Sequence, residues 1–182
     1  MGDPALTAIV RRCYTDAEFV DPAGEGGRGY TNLKRIYGSP ADLRAVVDAL
    51  ASTVGAAGAV ASTDTGSAPL AALVAYQRSL PAVFVRSEPK DTFLSYGGDK
   101  VTNDSRLFGD RLAPGTVVHV VDDFVHSGAT LALAVNTLRD VGLTVHTAAA
   151  VLGSPLEAIA EAITPLDVTL TIFVSSVDVA ES

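Results

Sequence analysis

Apolar positions along the chain follow two spacings, one typical of helices and one typical of buried strands. The segments with helical spacing are residues 39–54, 67–79, 128–141 and 154–163. The short, nearly continuous apolar runs between them are residues 59–62, 82–86, 117–122, 144–152 and 168–174. Because strands covered on both faces read as continuous apolar runs, the pattern predicts a single α/β domain. Its central sheet is expected to be mostly parallel, with helices on both faces.

Local signals at the ends of these segments support the predicted elements. Ser39 and Pro40 suit the N-cap and first position of a helix, and Gly142 suits a helix stop. Ser154 and Glu157 have the spacing of a capping box for the last helix. His119 and His146 both fall within predicted strands, so we expect both rings to be packed, without a chemical role.

Two stretches do not follow the alternation of strands and helices. Residues 1–38 are expected to form a small N-terminal hood over a core of residues 39–182. Residues 87–113 show no clean period and contain several Gly, Asn and Asp residues. A loop of this length within a compact domain is usually a functional lid or is disordered, so we interpret it as a mobile loop.

Composition narrows the possible functions. Among 182 residues, 48% are hydrophobic and 19% charged, which is enough apolar material for a large core. The net charge of −8 argues against a nucleic-acid partner, although it leaves room for a local basic pocket. The single cysteine, Cys13, excludes an internal disulfide, and no Cys/His spacing is typical of zinc. No apolar run reaches the ~18 residues of a membrane span, so we predict a cytoplasmic protein without a membrane partner.

The stretch VVDDFVHSGAT (residues 120–130) carries the candidate chemistry. Asp122 and Asp123 come at the end of a predicted strand, where ligands of open α/β sheets bind. The turn that follows leads into a helix, whose free N–H groups favour a phosphate, while carboxylates accept from hydroxyl groups or share a metal ion. Its residues are His126, Ser127, Gly128, Ala129 and Thr130. A ribose 5-phosphate has both features, a phosphate near vicinal hydroxyls.

This stretch closely resembles the phosphoribosyl-diphosphate signature of type I phosphoribosyltransferases. GYTNLKRIYGSP (29–40) is similar to the N-terminal substrate segment of the orotate enzymes of that family. ASTDTGSAPLAA (61–72) is similar to their diphosphate loop, and VFVRSEPKD (83–91) to the strand that leads into their mobile catalytic loop. Order and spacing agree from about residue 29 to residue 152.

The resemblance implies a magnesium-dependent transfer of ribose 5-phosphate from phosphoribosyl diphosphate to a nucleobase. It implies that Asp122 and Asp123 hold the ribose hydroxyls, with Asp123 facing Mg²⁺ through ligand oxygens or water. It places the 5-phosphate at residues 126–130 and the leaving diphosphate near Arg86 and Lys90. The residues implied to offer backbone N–H groups to the diphosphate are Thr63, Asp64, Thr65 and Gly66.

The family also implies a homodimer, and it places Lys34 and Tyr30 beside the base and the diphosphate. Without the resemblance, Lys34 and Lys90 are equally typical of surface charges and Tyr30 of a packing ring. His126 stands where relatives commonly have Thr or Ser; it could donate to a phosphate or point to solvent.

Three departures from the orotate pattern leave the acceptor base open. Ser87 and Thr92 stand where the catalytic loop has a Lys and a His, although Lys100 is available further along. LGSPLE (152–157) lacks the Arg that grips the orotate carboxylate. The chain ends soon after Val174, so we expect no final helix. The sequence predicts an orotate phosphoribosyltransferase; the alternatives are an enzyme for another base and a regulatory protein that binds the donor without turning it over.

Overall fold

The computed structural model describes residues 3–20, 26–88, 106–109 and 111–180 of the protein. The N-terminal part contains helix α1 (Pro4–Cys13), antiparallel strands β1 (Tyr14–Val20) and β2 (Gly26–Thr31), and a 3₁₀ helix (Leu33–Gly38). The buried side of α1 joins the same core cluster as the helices that follow it in the chain. Its members are Leu6, Ile9, Val10 and Cys13. The N-terminal segment therefore packs directly onto the domain core.

A six-stranded sheet forms the centre of the described chain. Its strands are β3 (Ala59–Ser62), β4 (Ala82–Val85), β5 (Leu107–Phe108), β6 (Val117–Val125), β7 (Thr144–Gly153) and β8 (Thr169–Ser175). Their order across the sheet is β5-β4-β3-β6-β7-β8. Only β4 and β5 pair antiparallel, and every other neighbouring pair is parallel. The predicted, mostly parallel sheet is confirmed.

Helices cover both faces of this sheet, as the sequence predicts. They are α2 (Pro40–Ser52), α3 (Ala68–Arg78), α4 (Ala129–Asp140), α5 (Leu156–Ile163) and the short α6 (Ser176–Ala180), with a 3₁₀ turn (Thr164–Leu166) before β8. One core cluster joins α2 and α3 to alternate strand residues such as Val60 and Val121. The other joins α4 and α5 to their neighbours, such as Ala61 and Val120. No helix within the described ranges is long and apolar enough to cross a membrane.

The ends of two elements differ from the expectation. Strand β6 continues past the predicted end at Asp122 to Val125, because β7 runs alongside it and pairs Val125 with Gly153. The expected capping box at α5 is wrong, since Pro155 is the N-cap and no side chain caps the helix. Ser154 is instead held by the sheet, where its N–H donates to Val125 O at 2.9 Å.

Two further expectations are wrong. A final helix is present as the short α6. His146 is exposed rather than packed. The register of β6 and β7 explains this, because Val118 pairs with Val145 whereas His119 pairs with Thr147. His146 is thus the extra residue of a β-bulge, which takes its side chain out of the packed alternation.

His119 is fully buried in the middle of β6, as expected. Its two ring nitrogens lie 3.0 Å from Thr53 Oγ1 and 2.8 Å from Thr147 Oγ1, so the ring bridges α2's C-cap and β7. Burial lowers the pKa of His119 from 6.5 to about 4. The folded protein therefore holds this ring neutral at pH values where the unfolded chain takes up a proton.

This difference predicts a loss of stability in mild acid. Because the folded pKa is depressed, the stabilisation is complete above the unfolded pKa and is lost as the pH falls toward about 4. From about pH 7.5 to about pH 5 the loss amounts to about 2 kcal/mol. Urea unfolding at both pH values should show this loss in the wild type and less of it in His119→Gln. His146→Gln is the matched control; if it flattens the pH dependence as much as His119→Gln does, the assignment is wrong.

Candidate active site

The two acids of the central strand lie at the point where the strand order reverses. From β3 the chain moves outward to β4, and from β6 it moves the opposite way to β7, so β3 and β6 flank a crevice at their carboxyl ends. Asp122 is buried, with 5% of its surface exposed, and Asp123 is half-buried. Asp122 Oδ1 accepts the N–H of Asp123 at 2.8 Å, and Asp123 Oδ1 accepts the N–H of Phe124 at 2.9 Å. The backbone thus fixes one oxygen of each carboxylate.

Burial gives Asp122 an unusual electrostatic environment. Loss of solvent contact raises the pKa of Asp122 well above its ordinary value, and the charges of Asp123 and Asp64 raise it further. A hydrogen bond from the Thr63 side chain acts in the opposite direction. Burial, with the nearby charge of Asp123, also raises the pKa of Tyr37 to about 12. Residues from three separate segments, 37, 63–64 and 122–123, therefore converge on one crevice.

The turn between β6 and α4 has the form of an anion-binding loop. Gly128 has φ +82° and precedes the first helical residue, Ala129, while Ala129 and Thr130 are exposed. A cavity of about 70 Å³ lies against this turn. Its lining includes Asp122, Phe124, His126, Ser127, Gly128 and Thr130. The structure thus brings the predicted phosphate loop and the buried carboxylate to the same cavity.

His126 is exposed but held in place. Its Nδ1 lies 3.3 Å from Oγ of Ser154, and its ring is tilted against that of Phe124 at 5.7 Å between centroids. Ser154 comes from the end of β7, the segment where the orotate pattern has an Arg. Sequence reasoning missed Ser154 because its spacing to Glu157 resembled a helix cap.

The predicted diphosphate loop, residues 63–66, follows β3, but most of its backbone N–H groups have partners inside the loop. Oγ of Ser67 accepts from the N–H groups of Thr63 at 3.1 Å and of Asp64 at 3.3 Å. Oδ1 of Asp64 accepts from the N–H of Gly66 at 2.7 Å. In this conformation the N–H groups of Thr63, Asp64 and Gly66 are therefore satisfied by side chains of their own loop, and the assignment of the loop to the diphosphate stays a prediction.

The predicted cationic and aromatic residues have different placements. Arg86 follows β4, and its guanidinium lies 4.5 Å from the centre of the Phe108 ring of β5. Lys34 is exposed in the 3₁₀ helix, and Tyr30, at the end of β2, is 42% exposed rather than a packed ring. Lys90 lies outside the described residues, as do Thr92, Lys100 and most of the predicted mobile loop.

Tyr37 and Ser67 are two further residues of this region that sequence reasoning missed. In the segment that contains Tyr37, the sequence pointed to Lys34 as the candidate binding residue, and Ser67 resembled an ordinary turn residue. Tyr37 is identified by its closeness to Asp123, which is distant in sequence, so no local pattern could have found it. Ser67 is identified by contacts within its own loop, to Thr63 and Asp64.

Comparison with known proteins places the chain in a family. No protein-family model matches it. The chain is 39% identical over 126 residues to an orotate phosphoribosyltransferase of Bacteroides thetaiotaomicron, an alignment that covers 67% of this chain and 54% of that relative. It is 30% identical to an adenine phosphoribosyltransferase of Methylobacterium sp. strain 4-46, covering 76% of this chain and 80% of the relative. It therefore spans about half the length of the orotate relative and most of the adenine relative.

A solved structure agrees over nearly the whole chain. The crystal structure of orotate phosphoribosyltransferase from Aeropyrum pernix superposes with a TM-score of 0.79 at 26% identity, covering 97% of this chain and 96% of that one. Sequence identity and the agreement of the folds both carry this relationship. The chain belongs to the type I phosphoribosyltransferase family.

The conformation of Gly128 provides a test of the backbone geometry of this turn. A Cβ at this position would lie 3.0 Å from Ala162 Cβ and 3.1 Å from Ile163 Cδ1, in a backbone region that L residues rarely adopt. We expect Gly128→Ala to lower the free energy of unfolding in urea by about 1–2 kcal/mol. Ala129→Gly, at the neighbouring exposed position, should cost less, and an equal or greater loss in this control would contradict the steric argument.

Proposed function

We propose that the protein transfers ribose 5-phosphate from phosphoribosyl diphosphate to orotate, yielding orotidine 5′-phosphate and diphosphate in pyrimidine nucleotide biosynthesis. The observation that carries this proposal is the meeting of Asp122 with the loop of residues 126–130 at one cavity. Higher identity to the orotate relative than to the adenine relative supports orotate as acceptor.

The proposed reaction asks the protein mainly to position the donor. The bond from the anomeric carbon to the diphosphate breaks as a ring nitrogen of the base forms the new bond, and the carbon passes through a state with oxocarbenium character. Asp122 and Asp123 accept hydrogen bonds from the ribose hydroxyls, and the N–H groups at the start of α4 hold the 5-phosphate. Because the side chains form no covalent intermediate, the rate depends on this orientation and on charge stabilisation.

Mg²⁺ would fit a site shared between a carboxylate of the protein and the phosphates of the substrate. Within residues 3–20, 26–88, 106–109 and 111–180, no three acids, histidines or cysteines come together to hold an ion. Mg²⁺ binds through one or two carboxylates together with substrate phosphates, so Asp123 is the residue that would face it, through a ligand oxygen or water. When bound, the ion would neutralise charge on the departing diphosphate.

The remaining assignments are proposals that rest on the family. Arg86, Lys90 and the loop of residues 63–66 would serve the diphosphate, Lys34 and Tyr30 the base side of the site. A mobile loop of residues 87–113 would exclude water, which competes with the base. We also propose a single catalytic domain with its hood at residues 1–38, and a cytoplasmic homodimer.

One observation favours a different nucleobase as the acceptor of ribose 5-phosphate. The end of β7, residues 152–157, carries no basic side chain for an orotate carboxylate, and Ser154 there contacts His126 instead. An acceptor without a carboxylate, such as adenine, would need no such partner, and the adenine relative is covered over 80% of its length.

The test is the loss of orotate absorbance in the presence of phosphoribosyl diphosphate and Mg²⁺. We expect turnover, and we expect Asp123→Asn to lower kcat/KM by roughly 10- to 100-fold, because it removes a charged acceptor for a ribose hydroxyl. Asp140→Asn, at the exposed end of α4, is the matched control and should retain wild-type activity.

The outcomes separate the alternatives. Conversion of adenine but not orotate would transfer the proposal to the second acceptor. Thermal stabilisation by phosphoribosyl diphosphate with no turnover of either base would indicate a regulatory protein that binds the donor.

A further inference from the structure

A strip of three side chains lies on one face of the sheet where β4 pairs with β5. Phe84 pairs with Phe108 across the two strands, and Arg86 lies two residues beyond Phe84, which puts its side chain on the same face. The two rings are stacked, with 4.9 Å between their centroids and 24° between their planes. Cζ of Arg86 lies 4.5 Å from the centre of the Phe108 ring, a distance typical of a cation–π contact. Phe108 therefore contacts both of the other side chains in the strip.

Contacts on both faces of the sheet hold Phe108 in place. Phe84 packs against the core cluster of α2 and α3, so the ring stack continues into the core. Leu107, the other residue of β5, is buried in the core cluster of the opposite face, with 2% of its surface exposed. The N–H of Arg86 donates to the carbonyl oxygen of Arg106 at 2.8 Å, which extends the pairing of the two strands by one residue. β5 falls within the predicted mobile loop, yet these contacts fix it to the sheet.

Arg86 follows the carboxyl end of β4, on the side of the sheet where the crevice opens. β4 runs parallel to β3, and the N–H of Val85 donates to Oγ of Ser62, the last residue of β3, at 3.2 Å. Arg86 therefore leaves β4 at the level where residues 63–66 leave β3. The acids of the crevice repel a phosphorylated ligand, so a guanidinium at this place offsets charge that the crevice itself does not.

We propose that Phe108 is a positioning residue, whose ring holds the guanidinium of Arg86 in place for the diphosphate of the donor. This inference rests on the proposed function, because it adds β5 to the diphosphate side of that site. The contact with the ring draws on the charge of the guanidinium, whereas hydrogen bonds to an anion draw on its N–H groups, so one side chain can serve both. Because the ring restricts a long, flexible side chain before the ligand arrives, less conformational entropy is lost on binding.

Titration calorimetry with inorganic diphosphate and Mg²⁺, and separately with ribose 5-phosphate, provides the readout. We expect Phe108→Leu to weaken diphosphate binding roughly 3- to 10-fold, because Arg86 must then be ordered on binding. Ribose 5-phosphate should bind as tightly as to the wild type, and Phe108→Tyr, which keeps the ring, should bind both ligands normally. Phe173→Leu is the matched control, because Phe173 is half-buried in β8, the edge strand on the other side of the sheet. It should leave both affinities unchanged.

A second comparison separates positioning from a purely structural role. If Phe108 acts through Arg86, the double variant Arg86→Ala/Phe108→Leu should bind diphosphate no worse than Arg86→Ala alone. A further loss in the double variant would overturn the inference, as would wild-type affinity for diphosphate in Phe108→Leu. Should Phe108→Leu fail to fold, Phe108→Met removes the ring with a larger apolar side chain and carries the same expectation.

The same titrations distinguish failure of this inference from failure of the proposed function. A wild-type protein that binds ribose 5-phosphate but not diphosphate would overturn the inference alone. A wild-type protein that binds neither ligand would overturn the proposed function.

Discussion

The parallel pairing of β3 with β6 is the constraint on which the site depends. These strands are neighbours in the sheet although a helix, two strands and a long loop separate them in sequence, and Ser62 lies opposite Val121. Because the chain leaves β3 toward one edge of the sheet and leaves β6 toward the other, the carboxyl ends of these two strands flank the crevice that open α/β sheets use for ligands. A shift of one residue in this register would separate Thr63 from Asp122 and turn the side chains of β6 to the opposite faces.

Elements with strong local signals were predictable from the sequence. The strand predicted at residues 59–62 has the same bounds as β3, because a run of four apolar or small residues between turn-forming segments leaves little choice of bounds. Ser39 caps α2, accepting the N–H of Asp42, because a short polar side chain before Pro is the usual solution for free N–H groups at a helix start. The strand-to-helix turn at residues 126–130 was predictable for the same reason: one continuous stretch, residues 120–130, contains the strand, the acids and the turn.

Contacts between distant segments were not predictable. Ser154 has the local pattern of a helix cap, but the pairing of β7 with β6 places it against His126 before the helix begins. His146 was misjudged because the bulge that releases it depends on the neighbouring strand. The surroundings of Asp122 belong to the same class: no local pattern near Thr63 indicates that the carboxylate of Asp122, from another strand, lies close to it.

The negative charge of the crevice explains why binding of a phosphorylated donor would depend on positive charge from beyond the crevice's own acidic side chains. Asp64, Asp122 and Asp123 are close enough to affect one another, in a protein of net charge −8, whereas the proposed donor is itself a polyanion. Backbone N–H groups can offset phosphate charge only where they are free, and the side chain of Asp64 already occupies that of Gly66. Positive charge must therefore come from Arg86, from further cations or from a metal ion that arrives with the donor. Burial that disfavours the charged form of Asp122 reduces the same repulsion, so the raised pKa of Asp122 and the proposed magnesium ion answer one electrostatic problem.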